Sequence, residues 1–163
     1  MPYLLAYVLT ILLANWAITH VGPVPVGFGL LAPAGVYFAG LAFTLRDLTQ
    51  ERLGKRAVLG AIALGAALSA LLSPTLALAS GTAFGASELA DMVVYTPLRR
   101  RSWLGAVALS NTVGLVLDSA LFLWLAFGSL EYLAGQVVGK AETTVLAVAV
   151  LALVRRHRTA VAA

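Results

Sequence analysis

Long apolar runs separated by short clusters of Pro, Gly and charged residues dominate the pattern of this chain. A run of about 20 apolar residues is what an α-helix needs to cross the hydrocarbon core of a bilayer. Read that way, the sequence predicts six transmembrane helices, at Tyr3–His20, Phe28–Leu45, Ala57–Ser73, Thr75–Tyr95, Trp103–Phe127 and Tyr132–Val154. The breaks differ in chemistry. "VGPVPVGFG" after the first run holds helix-breaking Pro and Gly, and "RDLTQERLGKR" after the second reads as a polar loop. Pro74 stops the third run, "TPLRRRS" divides the fourth from the fifth, and "RRHRTAVAA" follows the sixth. No Lys or Arg precedes the first run and no A-x-A pattern ends it, so a retained helix is expected there, with a cleaved signal peptide as the lesser alternative.

The cations orient this plan. Arg46, Arg52, Lys55 and Arg56 lie between the second and third runs, Arg99, Arg100 and Arg101 between the fourth and fifth, and Arg155, Arg156 and Arg158 after the sixth. With six spans all three clusters fall on one side, and the positive-inside rule makes that side and both termini cytoplasmic. Lys140 alone lies elsewhere.

Composition agrees. Of 163 residues, 61% are hydrophobic and 11% charged, more apolar surface than a soluble domain can hide. The expected class is an all-α integral membrane protein, with residues 1–163 forming one transmembrane domain in the cell (inner or plasma) membrane. The chain has no cysteine, which removes disulfides, thiolate metal sites and a cysteine nucleophile. The net charge of +4 reads as cytoplasmic loops and not as a nucleic-acid surface. The expected partners are the lipid bilayer and a small-molecule solute, and a homo-oligomer stays open.

Candidate chemistry lies in the polar residues inside the runs, because an ionisable group deep in a bilayer costs several kcal/mol and marks function by default. Phe84, Glu88, Asp91 and Tyr95 share one helical face by spacing, as do Asn111, Gly114, Asp118 and Phe122. At a rise of about 1.5 Å per residue, Asp91 is shallow, Glu88 and Asn111 lie near mid-membrane, and Asn15 and Asp118 lie in the outer half. Mixed acids, amides and aromatics suit a planar, hydrogen-bonding solute, with smaller contributions from Ser87 and Ser110. Bland roles compete. Asp91 is either a ligand or an ion-pair partner of Arg99 or Arg100, and Asn15 and Asn111 are either ligands or interhelical glue. Glu88 and Asp118 have no cation within their own runs. Asp47 and Glu51, four apart, form either a solvated helical turn or a cytoplasmic salt-bridge gate. No metalloprotease, nucleophile-elbow or phosphate-loop motif occurs, so no enzyme, cofactor or metal site is expected.

Several blocks carry a family resemblance: "LAN" in the first run, "PAGVYFAGLAFTLRDLTQERLGKRA" across the second, "SELADMVVYTPLRR" in the fourth and "SNTVGLVLDSALF" in the fifth. In order and spacing they resemble the VUT family, the queuosine-precursor transporters. That family is similar in architecture to the six-helix substrate-binding components of energy-coupling vitamin importers. The resemblance implies import of a 7-deazaguanine such as 7-cyano- or 7-aminomethyl-7-deazaguanine, or of queuine. It implies Asp91 and Asp118 as leading ligands, with Asn15 and Glu88 next, in a site between the first, fourth and fifth spans. The family pattern has Gln where Glu88 and Leu115 stand here, and an added acid at Glu88 would suit a cationic substituent on the cargo. Two alternatives remain: a vitamin- or nucleobase-binding component of an ATP-driven importer, and a non-transporting membrane scaffold.

Overall fold

The computed structural model describes residues 2–98 and 100–161. Six helices account for most of it: α1 (Pro2–His20), α2 (Val36–Leu53), α3 (Lys55–Ala70), α4 (Pro74–Leu98), α5 (Trp103–Phe127) and α6 (Leu133–Val161). Between α1 and α2 the chain forms a short antiparallel hairpin, β1 (Pro23–Pro25) and β2 (Leu31–Pro33), joined through a turn of 3-10 helix at Gly27–Gly29. The all-helical expectation is corrected to that extent.

The hairpin also explains the largest boundary error. The second helix was expected at Phe28–Leu45 but starts at Val36. Pro23, Pro25 and Pro33 hold their segments extended, and Pro33 pairs with Pro23 where neither has an N–H to give. Helix therefore begins only past the last proline. It then runs on through "RDLTQERL", which holds no breaker before Gly54. Gly54 adopts φ 81° and turns the chain straight into α3. The expected polar loop is thus the last two turns of α2, a one-residue turn and the start of α3. α5 begins and ends where the sequence predicts, capped by Ser102, whose hydroxyl accepts from the Gly105 N–H at 3.1 Å. α6 continues to Val161, past the expected Val154.

The helices close into a ring. α1 packs on α2, α2 on α6, α6 on α5, α5 on α4, α4 on α3, and α3 returns to α1. The turn at Gly54 and the residues after α4 define a basic end, where the Arg52 guanidinium also lies 6.0 Å from the Tyr3 ring. The hairpin and the α3–α4 and α5–α6 turns define the opposite, hairpin end. The hairpin seats on α6 because two glycines there, Gly135 and Gly139, leave room for it. A β-carbon at Gly135 would collide with the Leu31 carbonyl, and one at Gly139 would lie 2.9 Å from Val26 and from Val36.

Burial is inverted relative to a water-soluble protein. Asn15, Thr49, Ser69, Ser110, Ser119, Gln136 and Lys140 are buried, while Leu5, Leu59, Leu78, Leu89, Val93, Val145 and Leu146 are all more than 60% exposed. Such a surface is stable against lipid and not against water. Pro2–His20, Leu109–Phe127 and Leu133–Val150 are each long and apolar enough to cross a bilayer. α3 has 16 residues, about 24 Å of helix, and α2 carries Arg46, Asp47, Glu51 and Arg52.

Candidate functional site

A central cavity lies inside the ring and all six helices contribute to it. It encloses about 800 Å³ of empty space, its open mouth included. Its lining comes from the hairpin-end half of most helices: the first turns of α2 (Ala39, Ala42, Phe43) and α6 (Gln136, Lys140), the last third of α5 (Asp118, Phe122), and Ala77 to Phe84 of α4. α1 supplies its longest wall, Tyr7 through Ile18. The cavity wall thus draws on all six helices and not only on the first, fourth and fifth spans.

Most of the wall is apolar or aromatic, and its polar groups are few and fixed. Lys140 donates to Asp118 Oδ2 at 2.6 Å and to Ser119 Oγ at 3.2 Å. Lys140 is 2% and Asp118 8% exposed, so this is a buried ion pair between α6 and α5. Asp118 has no cation in its own helix, as expected, but the neighbouring helix provides one. Asn15 accepts from the Ser80 hydroxyl at 3.3 Å, which ties α1 to α4. Its Nδ2 has no partner, nor has Oε1 of Gln136, although both atoms are buried.

Toward the basic clusters two aromatic rings form the floor of the cavity. Phe43 and Phe84 stack with ring centres 6.2 Å apart and planes at 30°. Behind them the Arg46 guanidinium lies 5.8 Å from the Phe84 ring centre and pairs with Glu88. Arg46 also reaches Asp47 Oδ1 at 2.5 Å. Arg46 follows Phe43 by three residues and Glu88 follows Phe84 by four, so each charge sits one turn below its ring.

The sequence candidates divide accordingly. Asn15, Phe84 and Asp118 line the cavity. Glu88 sits behind the floor, paired with Arg46. Ser87 is buried and donates to the Phe84 carbonyl at 2.8 Å, a bond inside its own helix. Ser110 is buried on α5 and does not line the cavity. Asp91 is half-buried near Gly114, with one carboxylate oxygen unpartnered. No ion pair joins it to Arg100 among the described residues, and Arg99 lies outside them. Asn111 is exposed on α5 and does not line the cavity. Asp47 and Glu51 are exposed near the basic end, Asp47 against Arg46.

Sequence reasoning missed Lys140, Gln136, Ser80 and Arg46. Lys140 carried a usable signal, being the one cation away from the basic clusters and inside an apolar run. Gln136 lies one helical turn from it, on the same face.

No curated protein and no solved structure matches the chain significantly. A family model described as "Putative vitamin uptake transporter" matches residues 67–154, from the second half of α3 to near the end of α6. The match takes in Phe84, Asp118, Gln136 and Lys140 and covers more than half of the chain. With its apolar outer surface and central cavity, the chain belongs to this family of membrane-embedded vitamin uptake transporters.

Proposed function

We propose that the chain is a multi-pass inner-membrane importer of a queuosine precursor, a 7-deazaguanine. In this reading all six helices span the bilayer, residues 1–163 form one transmembrane domain, and the basic end faces the cytoplasm with both termini. The observation that carries it is the cavity: aromatic faces and a few fixed polar groups, enclosed by helices whose outer faces are apolar. A flat heterocycle gains stacking and apolar contact from Phe43, Phe84 and Phe122. Its polar edge meets Asp118, whose carboxylate Lys140 holds in place, and Asn15. The solute enters from the hairpin end, where most of the lining lies. The Phe43–Phe84 floor and the Arg46–Glu88 pair close the other side, with Asp47 competing for Arg46. Parting of that layer releases the solute to the cytoplasm, so the gate proposed here centres on Arg46, the residue before Asp47, with Glu51 five residues on.

Uptake of labelled 7-deazaguanines by cells that cannot make them tests this. Expression of the chain should confer uptake and Asp118→Ala should abolish it. Normal expression with no uptake of any deazaguanine overturns the substrate. Uptake that persists in Asp118→Ala removes the cavity from the mechanism.

A further inference from the structure

Resting on the deazaguanine reading and narrowing it, we infer that the cavity selects an uncharged solute, and that the amides of Asn15 and Gln136 read its hydrogen-bonding edge. Charge balance is the first ground. Among the described residues the lining holds one cation, Lys140, and one anion, Asp118, bonded to each other at 2.6 Å. The pair is neutral as a unit, and no third charge lines the cavity to balance a charged cargo. A cationic solute would either stay uncompensated in a site of low polarity or draw Asp118 away from Lys140. Both are costly, since a buried charge is tolerated only when paired and hydrogen-bonded. Glu88, the acid that would suit a cationic substituent, is engaged by Arg46 behind the aromatic floor and does not line the cavity.

The leftover hydrogen-bonding capacity is the second ground. Asn15 is 1% and Gln136 2% exposed, and both line the cavity. Asn15 spends its oxygen on Ser80 and keeps an unpartnered NH₂, while Gln136 keeps an unpartnered oxygen. A buried amide atom with no partner costs stability, and folded proteins leave few of them. Here one surplus donor and one surplus acceptor stand on α1 and α6, the two helices that flank α2, on two residues that line the same cavity. They match a neutral heterocycle that offers one acceptor, such as a ring carbonyl, and one N–H donor. The ligand then completes hydrogen bonds that the protein alone leaves open.

The test is equilibrium binding to the purified full chain in detergent at pH 7, with two probes that differ only in the 7-substituent. 7-Cyano-7-deazaguanine is neutral, and 7-aminomethyl-7-deazaguanine carries a protonated amine. The wild-type chain should bind the neutral probe at least ~10-fold more tightly. Asn15→Leu and Gln136→Leu should each weaken the neutral probe ~10-fold or more, because each removes a group that the solute alone can satisfy. Gln136→Glu adds an anion to the lining and should narrow or reverse the preference. Equal or tighter wild-type binding of the cationic probe overturns the selection for neutral cargo and leaves the deazaguanine reading standing. Unchanged affinity in monodisperse Leu variants overturns the role of the two amides. If the wild-type chain binds neither probe, the deazaguanine reading falls, and this inference with it. The two-probe comparison needs no variant to fold.

Discussion

Replacing Lys140 with Met removes an ammonium group and keeps most of its apolar stem. Lys140 and Asp118 are 2% and 8% exposed, and their pair joins α6 to α5. Without Lys140 the Asp118 carboxylate is left against Phe122 and other apolar neighbours with no compensating charge. Removing one partner of a buried ion pair costs about 3–5 kcal/mol. Asp118 borders a cavity with an open mouth, so water relieves part of that penalty and the low end, about 3 kcal/mol, is expected. That is a shift of roughly 150-fold in the folding equilibrium at 25 °C. Asp118→Leu alone should lose a similar amount. The double substitution leaves no unpaired charge and should return to within about 1 kcal/mol of wild type, because an apolar pair often replaces a buried ion pair without loss. Reversible unfolding in mixed micelles, followed by Trp fluorescence, measures all four forms. Uptake separates stability from function: the stable double variant should still fail to transport, since it lacks the carboxylate that faces the cavity. Losses in the two single variants that simply add in the double would refute the reasoning, as would a Lys140→Met loss below about 1 kcal/mol.

Gly139→Val should cost about 1–3 kcal/mol by overpacking against Val26 and Val36, whereas Gly60→Ala, which faces open space, should be close to neutral in the same unfolding assay. Arg46→Gln should change stability by less than about 1 kcal/mol, since Glu88 is 37% exposed. It should nonetheless speed labelling of a single cysteine introduced by Gly81→Cys, inside the cavity beyond the floor, from the basic end several-fold; the cysteine-free chain gives this assay no background, and an unchanged rate refutes the seal. Asn111→Leu should leave uptake unchanged and stability within about 0.5 kcal/mol, and a loss of uptake would return Asn111 to the site.

Long apolar runs announced helices well, because the membrane plan depends on composition over some twenty positions. α5 was placed to the residue. The second run failed because hydropathy cannot tell a helix from an extended proline-bearing segment, and "VGFGLLAP" is apolar in either form. Polar residues inside a run are easy to single out, yet a run does not say which way each one faces. Asn111 and Asp118 share a helical face by spacing, and the packing of the ring exposes one and buries the other. Charge partners were sought within the same helix, where local spacing is informative. The actual partners, Lys140 for Asp118 and Arg46 for Glu88, come from other helices, and ring order is a tertiary property that no local pattern encodes.

The order of helices around the ring divides the molecule into two arcs. α1, α2 and α3 occupy one, and α4, α5 and α6 the other, so the arcs meet at two seams, α3 against α4 and α2 against α6. Nearly every polar or aromatic contact at the cavity crosses between arcs: Ser80 to Asn15, Phe84 to Phe43, Glu88 to Arg46. The Asp118–Lys140 pair does not, since both residues belong to the second arc. If the arcs rock, that pair travels as a fixed unit while the seams and the aromatic floor repack. Asn15 lies on the first arc and Gln136 on the second. A solute held by both would fasten the two arcs together, which makes binding and closure a single equilibrium.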